Sequence, residues 1–212
     1  MSDMNNQRLR ILLVGASGTL GRAVGAELLS RHEVITAGSK SGDIRLDIAD
    51  TASIRRGLSE AGELDAVACA AGTVAFVPLA EIQPAALDDS VYGLGLKNKL
   101  LGQVNLALAA REYLRDGGSI TLISGITADA PIAAGSSATM VNCALEGFVR
   151  AAAIELPRGL RINLVSPGVL LESMAAFGPF FRGFEPVPAA RAALAYSRSI
   201  EGRQTGQVYR VS

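Results

Sequence analysis

Three glycines at a fixed interval, Gly15-x-x-Gly18-x-x-Gly21, are well placed to hold an anion. The apolar run Ile11-Leu12-Leu13-Val14 precedes them, and Leu20, Ala23, Val24 and Leu28 follow at helical spacing. The pattern predicts a strand, a tight turn and a helix N-terminus. Glycine removes the Cβ atoms that would hold a pyrophosphate off the backbone. The helix end offers free N–H groups and the positive end of its dipole. Ser17 and Thr19 add hydroxyls. In this context the triplet predicts a dinucleotide site made by Gly15, Ser17, Gly18, Thr19, Leu20 and Gly21. The next predicted strand ends Ala37-Gly38-Ser39-Lys40-Ser41-Gly42, with no acid until Asp43. An acid there would hold the ribose 2′-hydroxyl of NAD. Ser39, Lys40 and Ser41 suit a 2′-phosphate instead, so NADP(H) is expected rather than NAD(H). Asp47, beside Ile48, is a candidate for the adenine amino group or a cap for the following helix.

The elements that must position these groups alternate along the chain. Strands are expected over residues 11–14, 33–38, 64–71, 119–124, 160–165 and 207–211. A helix over 51–60 is capped by Asp50 or Thr51. A long helical region over 85–111 carries Leu100, Leu101, Val104 and Leu108 on one face. A third helix over 138–155 carries Val141, Leu145, Phe148, Val149 and Ala152, and Pro157 and Gly159 end it. Such alternation gives an α/β fold, a parallel sheet with helices on both faces. Ligands of such folds sit beyond the carboxyl ends of the strands. The loops after Val14, Gly38, Ala71, Ser124 and Val165 are therefore expected to line one site. Residues 9–212 are expected to form one domain behind a disordered N-terminus, residues 1–8.

Composition narrows the function classes. The 212 residues carry 20 basic and 20 acidic side chains, and 49% are hydrophobic. No basic patch with interleaved aromatics appears, so nucleic acid is not an expected partner. No apolar run is long enough to span a bilayer, and residues 1–7 lack the apolar core of a signal peptide. A cytoplasmic protein without a membrane partner is expected. Cys69 and Cys143 lie in apolar runs and read as reduced core residues. His32, the only histidine, reads as a surface loop residue. Without a His/Cys cluster no metal site is expected.

Motifs further along resemble one family, the short-chain dehydrogenase/reductases. The turn Gly15-Ala16-Ser17-Gly18-Thr19-Leu20-Gly21 resembles their glycine motif, and Ala70-Ala71-Gly72 is similar to their Asn-Ala-Gly. Ser124, in Leu-Ile-Ser-Gly, looks like their catalytic serine. Ala144-Leu145-Glu146-Gly147-Phe148, Arg161-Ile162-Asn163, Ser166-Pro167-Gly168 and Thr205-Gly206-Gln207 match the later half. The resemblance spans about residues 9–211. It implies a Rossmann-like doubly wound sheet of about seven strands, a nicotinamide cofactor, a small-molecule substrate and a homodimer or homotetramer. Ala70, Ala71, Gly72, Pro167, Gly168 and Val169 would then join the cofactor site, the last three beside the nicotinamide.

The family's Tyr-x-x-x-Lys does not carry over. Its tyrosine position falls on Ala138, its lysine position on Asn142 and its helix asparagine on Lys99. The chain thus looks like the divergent branch whose active-site residues are absent. In the family the tyrosine, its pKa lowered from ~10 by lysine and cofactor, protonates the alkoxide left by hydride transfer. General acid catalysis of this kind contributes ~10²–10⁴ in rate. Ser124 remains; Lys99 is a candidate acid or Schiff-base nucleophile, or else it binds a substrate carboxylate or simply fills the asparagine's place; Asn142 is a candidate ribose ligand, and Tyr92 could also reach the pocket. Phe177, Phe180, Phe181 and Phe184 cluster where the family has its substrate lid. They suggest an apolar or aromatic substrate, oriented by Glu172 or Arg182, or else a subunit interface. The expected activity is NADP-dependent reduction of a carbonyl or enone. The alternatives are a non-redox isomerase, cyclase or lyase on the same scaffold, or an inactive NADP-binding regulator or partner subunit.

Overall fold

The computed structural model describes residues 8–212. The disordered N-terminus expected over residues 1–8 lies outside them apart from Arg8, which is exposed. The chain begins with β1 (Arg10–Val14), α1 (Thr19–Leu29), β2 (Glu33–Gly38), β3 (Ile44–Arg45), α2 (Thr51–Ala61) and β4 (Leu64–Cys69). Next come α3 (Val91–Leu94), a π-helical stretch (Gly95–Leu101), α4 (Gly102–Ala110) and β5 (Leu114–Ile123). The remainder is α5 (Ser136–Glu155), β6 (Arg161–Pro167), α6 (Met174–Phe177), α7 (Ala189–Glu201) and β7 (Val208–Val211).

The seven strands form one sheet in the order β3-β2-β1-β4-β5-β6-β7, every pair parallel. This is the Rossmann-like doubly wound sheet that the alternation and the resemblance imply. Side chains alternate across β1: Leu12 and Val14 enter the core under α2, α4 and α5, while Ile11 and Leu13 enter the core under α1 and α7. The chain runs outward from β1 through β2 to β3 and then returns to place β4 on the other side of β1. A crevice opens at that reversal, beyond the strands' carboxyl ends.

Several local expectations change. Asp50 caps α2, accepting from the Ala52 N–H at 2.8 Å. The long helix starts at Val91 rather than 85, because the Ser90 hydroxyl accepts from the Tyr92 N–H and sets the first turn there. Its leucines divide: Leu96 and Leu100 pack partly buried against the core. Leu101 and Leu108 are 47% and 41% exposed, whereas Lys99, Gln103, Leu106, Ala107 and Ala110 face the core. The π-helical stretch widens the turn and brings a polar row inward. β5 begins at Leu114, five residues early, through an irregular register against β4. α7 is an element that the sequence reading does not predict; its buried face mixes alanine and serine with Tyr196 and Ile200, a weak apolar signal.

α7 also explains His32, which is no surface loop residue. It is 6% exposed, wedged where α7 packs on α1, with Nδ1 accepting from the Leu9 N–H and Nε2 3.1 Å from Glu201 Oε1. Cys69 is buried as expected, but Cys143 is exposed on the outer side of α5, not in the core. No helix among the described residues is long and apolar enough to cross a membrane.

Candidate active site

The crevice holds two cavities that share Gly72. The first, about 290 Å³, is lined by Gly15, Ser17, Gly18, Ser39, Lys40, Asp47, Ile48, Ala70, Ala71, Gly72, Thr73 and Asn98 among others. Its floor is the N-terminus of α1, which has neither a side-chain cap nor an acid in its first turn. The glycines of the turn divide the work. Gly15 has φ +84°, and an added Cβ would lie 2.9 Å from Ala70 and Ala71; one at Gly21 would lie 2.0 Å from the Gly15 carbonyl. Both are demanded by the turn itself. A Cβ at Gly18 would meet protein only at 3.4 Å, so its absence keeps the cavity wall open rather than relieving a clash. Free helix N–H groups beside an open wall fit a pyrophosphate. Lys40 is exposed at the far end, while the Asp43 carboxylate is folded back onto the Thr36 N–H and hydroxyl at 2.9 and 2.7 Å. Those bonds hold Asp43 below the usual carboxylate range and away from a ribose. Asp47 lines the cavity and accepts from the Ala49 N–H at 2.9 Å. Thr19, Gly21 and Ser41 lie outside this wall, and Leu20 belongs to the second cavity.

The second cavity, about 270 Å³, brings together Gly72, Lys99, Ser124, Asn142, Pro167, Gly168, Val169, Phe177 and Phe181. Lys99 is 8% exposed, and its Nζ donates to the Ser124 carbonyl at 3.0 Å and to Asn142 Oδ1 at 2.8 Å. Asn142 Nδ2 donates to Thr127 Oγ1 at 2.8 Å, which fixes the amide's orientation. Burial lowers the Lys99 pKa to about 8. The lysine stem runs against Gly72, where an added Cβ would sit 2.5 Å from Lys99 Cγ. The Ser124 hydroxyl accepts from the Gly125 N–H at 2.6 Å and makes no bond to Lys99. Ala138, 3% exposed, presents a methyl to the cavity. Tyr92 does not line it; its hydroxyl is 3.1 Å from Ser136 Oγ.

Of the lid residues, Phe177 and Phe181 line the cavity and Phe180 does not. Phe76, from the loop after β4, reaches across to Phe177 and Phe180 at centroid distances of 5.6 and 5.2 Å. Glu172 does not line the cavity: both carboxylate oxygens accept from the Ala189 N–H at 3.0 Å and cap α7. Arg182 is exposed and is likewise absent from the wall.

Three contributors escape sequence reasoning. Gln103, fully buried, donates to the Ile123 carbonyl at 2.9 Å and accepts from its N–H at 2.8 Å. β4 stops pairing with β5 at Thr121, so this side chain completes the strand edge that carries Ser124. Asn98 Oδ1 accepts from the Thr73 N–H and holds the loop between the cavities. Phe76 closes the second cavity. A buried polar residue on the helix's inner face is the available signal for Gln103; nothing local marks the other two.

Comparison with known proteins follows the same lines. A family model described as enoyl-(acyl carrier protein) reductase matches residues 20–208. A hydroxynaphthalene reductase-like protein of Metarhizium brunneum is 29% identical over 187 residues. That match covers 74% of this chain and 66% of the relative, just under two thirds of its length. The crystal structure of the protein lin1944 from Listeria innocua superposes with a TM-score of 0.91 at 48% identity, covering 95% of this chain and 98% of that one. A small-chain dehydrogenase in complex with NADPH shares the fold, with a TM-score of 0.83 at 24% identity over 97% of each chain.

Proposed function

The chain belongs to the short-chain dehydrogenase/reductase family, and from that premise we propose that it is an NADP(H)-dependent oxidoreductase reducing a carbonyl or conjugated double bond of a small apolar molecule. The observation that carries the reading is the pairing of two adjoining cavities. One offers an uncapped helix N-terminus with Lys40 in its wall; the other offers a buried ammonium on an apolar wall. Ser17, Gly18 and the first N–H groups of α1 would hold the pyrophosphate, and Ser39 and Lys40 the 2′-phosphate. Asp47 and Ile48 would flank the adenine, and Pro167, Gly168 and Val169 the nicotinamide end. The NADPH complex of a relative in fold supports this choice.

When bound, the reduced cofactor supplies a hydride. The chain's own residues supply the rest. Ala138 has no acidic hydrogen, so proton delivery falls to Lys99 Nζ, which at neutral pH carries one N–H beyond the two given to Ser124 and Asn142. That N–H stabilises the oxygen on which negative charge develops and passes it a proton; the resulting amine is recharged from solvent. A double bond polarised by a neighbouring carbonyl asks less of this donor than a bare ketone. The aromatic lid and Ala138 make the surroundings of the donor apolar.

The outward leucines supply the partner surface. Leu94, Leu101 and Leu108 recur every seven residues along one helix and are 49%, 47% and 41% exposed, which supports a homodimer or homotetramer. A cytoplasmic location accords with the free thiols of Cys69 and Cys143. A second reading, a cofactor-binding regulator without turnover, draws on the methyl of Ala138 where the resemblance expects an acid.

Titration with NADPH and NADH, read by nicotinamide fluorescence and melting temperature, tests the proposal. NADPH is expected to bind at least ~10-fold more tightly; binding of neither would sink the oxidoreductase reading.

A further inference from the structure

We propose that the second cavity is built for an acid: a flat, conjugated, mostly apolar molecule whose one anionic oxygen, carboxylate or phenolate-like, pairs with Lys99 Nζ. The inference deepens the reading above by naming a substrate class, the paired oxygen being the one that takes up charge on hydride transfer, and it is tested without turnover.

An ammonium has three N–H donors and no acceptor. Two are spent on neutral oxygens, the Ser124 carbonyl and Asn142 Oδ1. No carboxylate pairs with Lys99 among the described residues, and Lys99 is the only charged side chain in the cavity wall. The other titratable group that acts on it is Cys69, whose thiol burial pushes up to about 12, so it stays neutral. A buried charge without a counter-charge is costly, and here the cost shows as a lysine pulled down to about 8. The arrangement is not loose. Gly72 leaves room for the lysine stem, Thr127 fixes Asn142, and Gln103 fixes the strand end that offers the Ser124 carbonyl. The protein thus places a buried cation with one uncommitted N–H in a largely apolar wall, and no described residue of that wall neutralises it. An anionic oxygen completes both the charge and the third hydrogen bond. The rest of the wall fixes the shape of the occupant: Val74, Ala138 and Leu170 are aliphatic, and Phe76, Phe177 and Phe181 are aromatic.

Calorimetry on the whole protein at neutral pH, with and without saturating NADP, would compare benzoate with benzamide and 4-nitrophenolate with 4-nitrotoluene. The anion of each pair is expected to bind at least ~10-fold more tightly than its neutral counterpart. The pair with the larger gain distinguishes a carboxylate from a phenolate. Lys99→Met is expected to bring each pair within about twofold. Raising the pH to 10 is expected to do the same in the unmutated protein, which keeps the test open should the variant not fold. Equal affinities in the unmutated protein, or a preference that survives Lys99→Met or the high pH, overturn the inference. A variant that loses NADP affinity but keeps the preference overturns it too, since the third N–H would then serve the cofactor. The acid preference with binding of neither NADPH nor NADH would keep this inference and sink the redox reading; NADPH oxidation of neutral carbonyls alone would do the reverse.

Discussion

At the scale of single residues, the proposed chemistry and a pH-dependent part of the stability both rest on Lys99. Its N–H must be present for proton transfer, so the rate should fall as pH rises through about 8. Lys99→Met should lower kcat by ~10²–10⁴ while NADPH affinity stays within a few-fold, as steady-state kinetics and fluorescence titration would show. Stability should move the opposite way with pH. The folded protein gives up the Lys99 proton near 8, while the unfolded chain keeps it to the ordinary value of ~10.4. Between these values the unfolded state binds more protons, so stability rises with pH, by about 3 kcal/mol in all. The Cys69 thiol, which burial holds protonated, works the opposite way, so the Lys99 part is read as the difference between the unmutated protein and Lys99→Met in urea denaturation at pH 7.5 and 10, which should grow with pH. Gly72→Ala would force a methyl into the lysine stem at a φ of +146°. It should cost about 1–3 kcal/mol and most of the activity.

At the scale of elements, the π-helical stretch and α4 hold β5 by a side chain in place of a missing strand. Gln103→Leu would leave the Ile123 N–H and carbonyl unpaired in a dry interior, at about 1–3 kcal/mol for each group. The midpoint of urea unfolding should drop accordingly, with its slope unchanged. This level also shows what the sequence could and could not carry. The strand, turn and helix at Gly15–Gly21 were legible because glycine spacing and apolar runs are local. So was the helix over 138–155, whose periodic face is buried at Val141, Leu145 and Val149. In the helix before β5 the expected leucine face is only partly the inner one: Leu100 packs on the core, but Leu101 and Leu108 face outward. Leucines outrank a lysine and a glutamine on any apolar scale, and only the partner elements show that the polar row is wanted inside. Asn98 and Phe76 act on chain 25 or more residues away or across the crevice, which no local pattern encodes. Glu172 shows the converse. Its type suited a substrate contact, but the N-terminus of α7, itself unread, takes both oxygens.

At the scale of the whole molecule, the outward leucines predict assembly. Leu101→Glu with Leu108→Glu should shift the sedimenting species to monomer; an unchanged mass would remove this face as the interface. The ring pairs that Phe76 makes with Phe177 and Phe180 join two loops belonging to opposite banks of the crevice. Two such pairs contribute about 1–3 kcal/mol beyond the apolar area they bury, so parting the banks costs more than this but breaks no covalent bond. Traffic through the gap is then a diffusive crossing rather than a chemical step. Its pace is set by the friction of the surrounding solvent, and turnover limited there would slow in proportion as sucrose thickens the buffer.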